Sequence, residues 1–146
     1  MKNIVLCADL NEVSLQRLKS IHQELDLKHA KVHIVHVFEI QYYVAEFTPY
    51  VFPSEDQYKE MEKSTLAILA KLGKDLGINE SNLELKCFFA RSSDEKLLEY
   101  LKASNADLAV VATRGKHGVE GLFSSSLTDF LCKYSPCDIL VLRPKV

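Results

Sequence analysis

The chain is poor in the features that mark secreted, membrane-spanning or polyanion-binding proteins. No apolar run reaches the ~20 residues that a bilayer-spanning helix requires. The opening Met1-Lys2-Asn3-Ile4-Val5-Leu6-Cys7-Ala8-Asp9 has one basic residue and an apolar stretch too short for a secretory leader. It reads as a buried first strand, and a cytoplasmic location is expected. Positive charge is not in excess. Lys and Arg number 18 against 20 Asp and Glu, for a net charge of −2, so no basic field exists for nucleic acid or an anionic membrane, and neither is expected as a partner. The four cysteines, Cys7, Cys87, Cys132 and Cys137, form no Cys-x-x-Cys pair, and no histidine stands at a zinc-finger spacing from them. They read as small hydrophobes in a reducing compartment. A redox role for Cys132 and Cys137, which flank the turn at Pro136, is the lesser alternative. Repeats, linkers and low-complexity segments are missing.

What is present is alternation. Apolar residues make up 47% and charged residues 26% of 146, the balance of one globular domain spanning residues 1–146. Short β-branched runs at Ile4–Cys7, Val32–Val37, Leu83–Phe89, Leu108–Ala112 and Ile139–Leu142 alternate with helical patterns. The helices are expected at 14–27 (stripe Leu15, Leu18, Ile21, Leu25), 54–76, 93–103 and 125–133. Asn11 or Ser14 is expected to cap the first, Ser54 with Gln57 to box the second, Gly77 to stop it, and Ser92 or Ser93 to cap the third. A β-α-β-α-β-α-β-α-β order predicts an α/β fold: an open five-stranded parallel sheet with helices on both faces and right-handed crossovers. His33 and His36 are three apart on a strand and therefore face opposite sides. They read as structural.

Ligands of such sheets bind beyond the carboxyl ends of the strands, where the strand order reverses. The loops after the first, second and fourth strands are the candidates. The last is the richest, with Gly115, Gly118 and Gly121, the cations Arg114 and Lys116, and His117. It is followed by the hydroxyls of Ser124, Ser125 and Ser126, read as the helix start. Glycines allow close backbone approach, and a helix N-terminus offers unpaired N–H groups to an anion. The alternative is a surface loop with a serine cap. The segment is neither a P-loop, which needs Gly-Lys-Ser/Thr, nor a Gly-x-Gly-x-x-Gly fingerprint, which belongs after the first strand. Asp9, closing the first strand, is suited to accept hydrogen bonds from adenine or ribose, or to cap the next helix. No nucleophilic elbow surrounds the serines.

Taken in order, these pieces resemble the universal stress protein family along the whole chain. The opening from Ile4 to Ser14 is similar to the family's strand, Asp and helix start. Ile34-Val35-His36-Val37 resembles its second strand, Ala106-Asp107-Leu108-Ala109-Val110-Val111 its fourth, and Ser135-Pro136-Cys137-Asp138-Ile139-Leu140-Val141-Leu142 its ending. The resemblance implies a Rossmann-like strand order 3-2-1-4-5 and a stress-response module. Nucleotide-binding members carry Gly-x2-Gly-x9-Gly-Ser/Thr. Here the spacing is kept as Ala112-x2-Gly115-x9-Ser125-Ser126, with two glycines replaced. The resemblance therefore leaves two readings open: ATP with Mg²⁺ in the cleft, or the same fold without nucleotide, acting through protein contacts. Carried over by position, Asp9 and Val37 would meet adenosine. Ala112, Arg114, Gly115, Ser125, Ser126, Leu127 and Thr128 would surround ribose and phosphates. A binding module rather than an enzyme is expected. A slow ATPase using His117, Arg114 or Asp9 is the less favoured alternative.

The resemblance also implies a homodimer through the last strand, Ile139, Leu140, Val141 and Leu142, at a sheet edge. Finally, residues 38–52 hold six of the thirteen aromatics: Phe38, Tyr42, Tyr43, Phe47, Tyr50 and Phe52. A satellite core over the second helix is the leading reading of this segment. A lid and a partner interface are the alternatives.

Overall fold

The first apolar run lies at the centre of the sheet, and the other four pair outward from it. The computed structural model describes residues 1–44, 46–113 and 119–144, without the side chains of 119–126. In chain order the elements are β1 (Lys2–Cys7), α1 (Glu12–Lys19), β2 (Ala30–Glu39), β3 (Gln41–Val44), β4 (Pro49–Phe52) and α2 (Glu55–Asp75). They continue with β5 (Leu83–Ala90), α3 (Ser93–Ala103), β6 (Leu108–Ala112), α4 (Val119–Tyr134) and β7 (Asp138–Leu142). The main sheet has the order β5-β2-β1-β6-β7, and every pair in it is parallel. This is the expected 3-2-1-4-5 topology.

Alternation along each strand divides the core into two layers, as period-2 side-chain geometry requires. Leu6, Ile34 and Val110 face Leu18, Ile21, Leu69 and Leu72 of the α1–α2 side. Val5, Val35 and Val111 face Leu97, Leu101 and Leu131 of the α3–α4 side. A sheet covered on both faces explains why its strands read as continuous apolar runs.

The expected caps are in place. Asn11 Oδ1 accepts from the N–H groups of Val13 (3.0 Å) and Ser14 (3.4 Å). The Ser54 N–H donates to Gln57 Oε1 at 2.9 Å, and Ser92 Oγ accepts from the Glu95 N–H at 3.2 Å. Gly77 ends α2 with φ of 69°. Its N–H reaches the Lys74 carbonyl at 2.9 Å, and that of Ile78 reaches Gly73 at 3.1 Å, the paired bonds of a Schellman stop.

Three expectations are corrected. The first helix ends at Lys19 rather than continuing to 27. Ser20 Oγ donates back to the Arg17 carbonyl at 2.9 Å, and the chain tightens into a 3-10 turn at Ile21–Gln23. Ile21 stays buried because the turn keeps it on the same side. The fourth helix begins at Val119, not Ser125. Gly121 is therefore a helical residue, at an intrinsic cost of about 1 kcal/mol that the length of the helix absorbs. Ser125 and Ser126 fall in its body.

The aromatic segment is the third correction. Phe38 belongs to β2 and does pack toward α2, stacking on Phe89 (centroids 5.3 Å), which stacks on Tyr58 (4.1 Å). The remaining five rings lie instead on an antiparallel hairpin of β3 and β4 whose residues are exposed.

One polar group interrupts the α3 layer. His33 is buried, with Nδ1 2.8 Å from Tyr100 Oη and 3.2 Å from Glu84 Oε2. Its Nε2 is buried without a partner among the described residues. Burial pulls its pKa below the ordinary 6.5, as do Lys31 and Lys86, while the Glu84 carboxylate opposes them. Tyr100 is pushed up to about 12, by burial first and then by Glu84.

Two predictions result. Gly77→Ala should cost about 1 kcal/mol in urea unfolding, because a Cβ is disfavoured at positive φ. The folded chain holds fewer protons on His33 than the unfolded chain, so His33 contributes stability that is lost as pH falls below 6.5. His33→Asn, which keeps a polar atom at the Nδ1 position, should flatten that acid limb when urea midpoints are compared across pH. An unchanged limb would contradict the burial argument.

Candidate functional site

A cavity of about 540 Å³ opens at the carboxyl ends of β1, β2, β5 and β6. It lies where β2 and β6 flank β1 and the chain's outward order reverses, the place expected for a ligand. Cys7, Ala8 and Asp9 come from the end of β1. Val35, His36, Val37 and Glu39 come from β2, Val111 and Ala112 from β6, and Leu127 from α4.

Of the residues expected at the site, Asp9, Val37, Ala112 and Leu127 share this cavity. Thr128 follows Leu127 on α4, half-buried. Ser125 and Ser126 sit within α4, so their backbone N–H groups point along the helix to carbonyls four residues back rather than out of an open N-terminus. Arg114 and Gly115, with His117, lie outside the described residues. Ile139, Leu140, Val141 and Leu142 form the outermost strand. Leu140 and Leu142 pack into one layer and Ile139 into the other, and the free side of the strand is backbone.

Ala112 has ordinary strand backbone. Among the described residues only Gly77 and Asn105 have positive φ. Replacing a glycine at 112 therefore costs no backbone strain, and its methyl is simply part of the cavity wall.

His36 ties the floor together. Its Nδ1 lies 2.7 Å from the Ala8 carbonyl. A carbonyl only accepts, so Nδ1 carries the proton. The ring meets Phe38 edge-on at 4.4 Å. Burial lowers its pKa, while the Ala8 bond and the Asp9 carboxylate counter that in part. Just above, the Ala8 N–H donates to the Val35 carbonyl at 2.8 Å, extending the β1–β2 ladder past the last strand residue. Cys7 beneath is buried, and its thiol is pushed up to about 12, by burial first and then by Cys137. A thiol this protonated is no nucleophile.

The loop after β5 also reaches the cavity, with Arg91, Ser92, Ser93 and Asp94, a contribution the sequence reading missed. The rule that places ligands at carboxyl ends applies to this strand as well, and was the available signal. Ser93 Oγ donates to Glu39 Oε2 at 3.0 Å. The Asp94 carboxyl is shifted upward, by burial first, then by Glu39 and Glu95. The Arg91 guanidinium lies 5.1 Å over the Tyr42 ring. Asp9, Glu39 and Asp94 thus give this side of the cavity an excess of acceptors. That favours ligand groups that donate hydrogen bonds, such as sugar hydroxyls or an exocyclic amine, and disfavours phosphate there. No cluster of metal ligands occurs among the described residues, and no described helix is long and apolar enough to cross a membrane.

The comparisons with known proteins agree with this architecture. The family model for the universal stress protein family matches residues 1–143. A universal stress protein of Methanocaldococcus jannaschii is 27% identical over 97% of this chain and 82% of its own. Among solved structures, a universal stress protein in complex with cAMP gives a TM-score of 0.68 at 19% identity, covering 99% of this chain and 98% of the other. A universal stress protein from Archaeoglobus fulgidus in complex with dAMP gives 0.63 at 13% identity, covering 97% of each. At those identities the structural likeness speaks for the fold. The match of the family model across nearly every residue speaks for descent, and the chain belongs to the universal stress protein family.

Proposed function

We propose that this chain is a stress-response binding module, not an enzyme, and that it takes an adenine nucleotide into the cleft at the end of β1. The observation that carries the reading is the convergence of Asp9, Val37, Ala112 and Leu127 on one cavity at the strand-order reversal. The structural neighbours bound to cAMP and dAMP make adenine the natural base. In this reading Val37 and Leu127 wall the purine, and Asp9 accepts from the adenine amine or a ribose hydroxyl. Glu39 and Asp94 offer further acceptors to the sugar.

The phosphate end is held less firmly. With Ser125 and Ser126 inside α4, that stretch presents no open helix N-terminus to a phosphate. ATP with Mg²⁺ therefore gains little over a monophosphate, the cation being reached through phosphate oxygens or water. The second reading, a nucleotide-free module acting through protein contacts, is favoured by a separate observation: the exposed aromatic hairpin beside the cleft. A cytoplasmic location and a homodimer through Ile139, Leu140, Val141 and Leu142 accompany both readings.

Calorimetry with AMP, cAMP and ATP–Mg²⁺ tests the binding. All three should bind with affinities within about tenfold of one another, and Asp9→Asn should weaken each. At a ligand concentration a hundredfold above Kd, stabilisation of about 2.7 kcal/mol should appear as a thermal shift. No heat and no shift with any of the three at millimolar ligand would end the nucleotide reading and leave the second.

The last-strand dimer has its own readout. Amide exchange at Ile139 to Leu142 should accelerate on dilution. Exchange independent of concentration would rule that interface out.

A further inference from the structure

The main sheet ends on one side at β5. Among the described residues, β2 pairs with one side of this strand and no strand pairs with the other. All eight residues of β5 are half-buried, whereas β1 is buried through its last four. One bond fixes the direction of the backbone groups. The Ile40 N–H donates to the Ala90 carbonyl at 2.8 Å, so Ala90 turns its backbone toward β2. Successive residues of a strand turn their N–H and C=O groups to opposite sides. Phe88, Lys86 and Glu84 therefore also face β2, and Leu83, Leu85, Cys87 and Phe89 present their groups to the free edge.

Exposed edges are ordinarily blunted by proline, a bulge, short length or charge. β5 has no proline or glycine, and its register with β2 runs unbroken from Leu83 to Ala90. Its two charges, Glu84 and Lys86, are of opposite sign. They share the α3 face by the two-residue period, with Glu84 Oε2 3.2 Å from His33 Nδ1. Leu83 and Leu85 lie on the α2 face. There a groove of about 600 Å³ runs between β5 and α2, walled on the helix side by Ala67, Ala70, Lys71 and Lys74.

We propose that the free edge of β5 pairs antiparallel with β5 of a second copy of this chain, about a two-fold axis at Leu85. Backbone direction and charge select this occupant together. Hydrogen-bonded pairs must join residues that face outward on both copies. With the axis at Leu85, Leu85 meets Leu85 and Leu83 meets Cys87, and each pair exchanges two hydrogen bonds. The intervening pairs are Glu84 with Lys86 and, by symmetry, Lys86 with Glu84. Opposite charges stabilise such a cross-strand pair and like charges destabilise it. Moving the axis one residue either way sets Glu84 against Glu84 or Lys86 against Lys86. A guard of one sign would repel a second copy in every register; this pair attracts it in one and repels it in the two beside it. The same axis brings both α2 helices onto one face of the joined sheet, where the small side chains of Ala67 and Ala70 leave room for their approach. β7 lies at the far edge of the sheet, so pairing there is a separate contact.

Amide exchange of the full chain, read residue by residue by NMR across a dilution series, tests this. The N–H groups of Leu83, Leu85 and Cys87 should be protected at high concentration and should exchange faster on dilution. Those of Glu84 and Phe88, bonded to β2, should change far less. At fixed concentration Lys86→Glu, which sets acid against acid twice, should speed exchange at the three edge amides by at least about tenfold. Mixing that variant with Glu84→Lys should restore protection, because each chain supplies the charge the other lacks. Where the second variant fails to fold, the wild-type pattern and Lys86→Glu still decide. Edge amides that exchange fast at every concentration overturn the proposal and leave the edge to a strand of another protein. Protection that Lys86→Glu leaves intact overturns it as well.

Discussion

The structure depends on one strand being paired on both sides and buried on both faces. β1 contributes Ile4, Val5, Leu6 and Cys7, and each has a register partner in both β2 and β6. Val5 and Leu6 are wholly removed from water on opposite layers. Such burial is worth about 1.5–3 kcal/mol per large side chain, and a parallel strand so enclosed has no solvated face to retreat to. The chain leaves β1 to build β2 and β5 on one side, then crosses back to build β6 and β7 on the other. Connections that diverge in this way leave the end of β1 uncovered. The cleft is a consequence of strand order, and Asp9 stands at its floor because it is the residue that follows.

The electrostatics of that floor are asymmetric. Asp9, Glu39 and Asp94 collect on the β1–β2–α3 side, and burial together with Glu39 and Glu95 makes Asp94 reluctant to ionise. Arg91 stands beside them with its guanidinium laid over Tyr42. A like charge beside Asp94 adds to the effect of its burial and favours its protonated form. A ligand that brings donors relieves that tension, whereas one that brings phosphate to this side increases it.

Legibility in the sequence followed the strength of local signals. The bounds of α3 and the stop of α2 were readable because Ser92 and Gly77 do specific hydrogen-bonding and conformational jobs. The sheet order was readable because alternating elements leave few topologies once crossovers must be right-handed. The hairpin was not readable. Tyr42-Tyr43-Val44 and Tyr50-Val51-Phe52 are apolar on both faces, so the period-2 alternation that reveals a half-buried ribbon is missing. The start of α4 was misjudged for the opposite reason. Gly118 and Gly121 are loop signals, and tertiary structure overrode the second of them. Arg91 and Ser93 carry no motif. Only their place at the end of β5 marks them.

Ala112 and Ser125 are not equivalent departures from the family's nucleotide motif. At 112 the backbone is an ordinary strand, which any L-residue adopts, so the methyl takes up space and adds no strain. The cleft around it still measures about 540 Å³. At 125 the issue is the amide rather than the side chain. A glycine-serine pair at a helix start presents unpaired N–H groups to phosphate, and the same positions within α4 do not, because those groups are bonded along the helix. The first change leaves the strand backbone beside the cleft unaltered. The second concerns amides that lie inside a helix rather than at its start. The two changes therefore bear on different parts of the fold: the one at 112 on the wall of the cleft whose lining includes Asp9, His36 and Val37, the one at 125 on the backbone of α4.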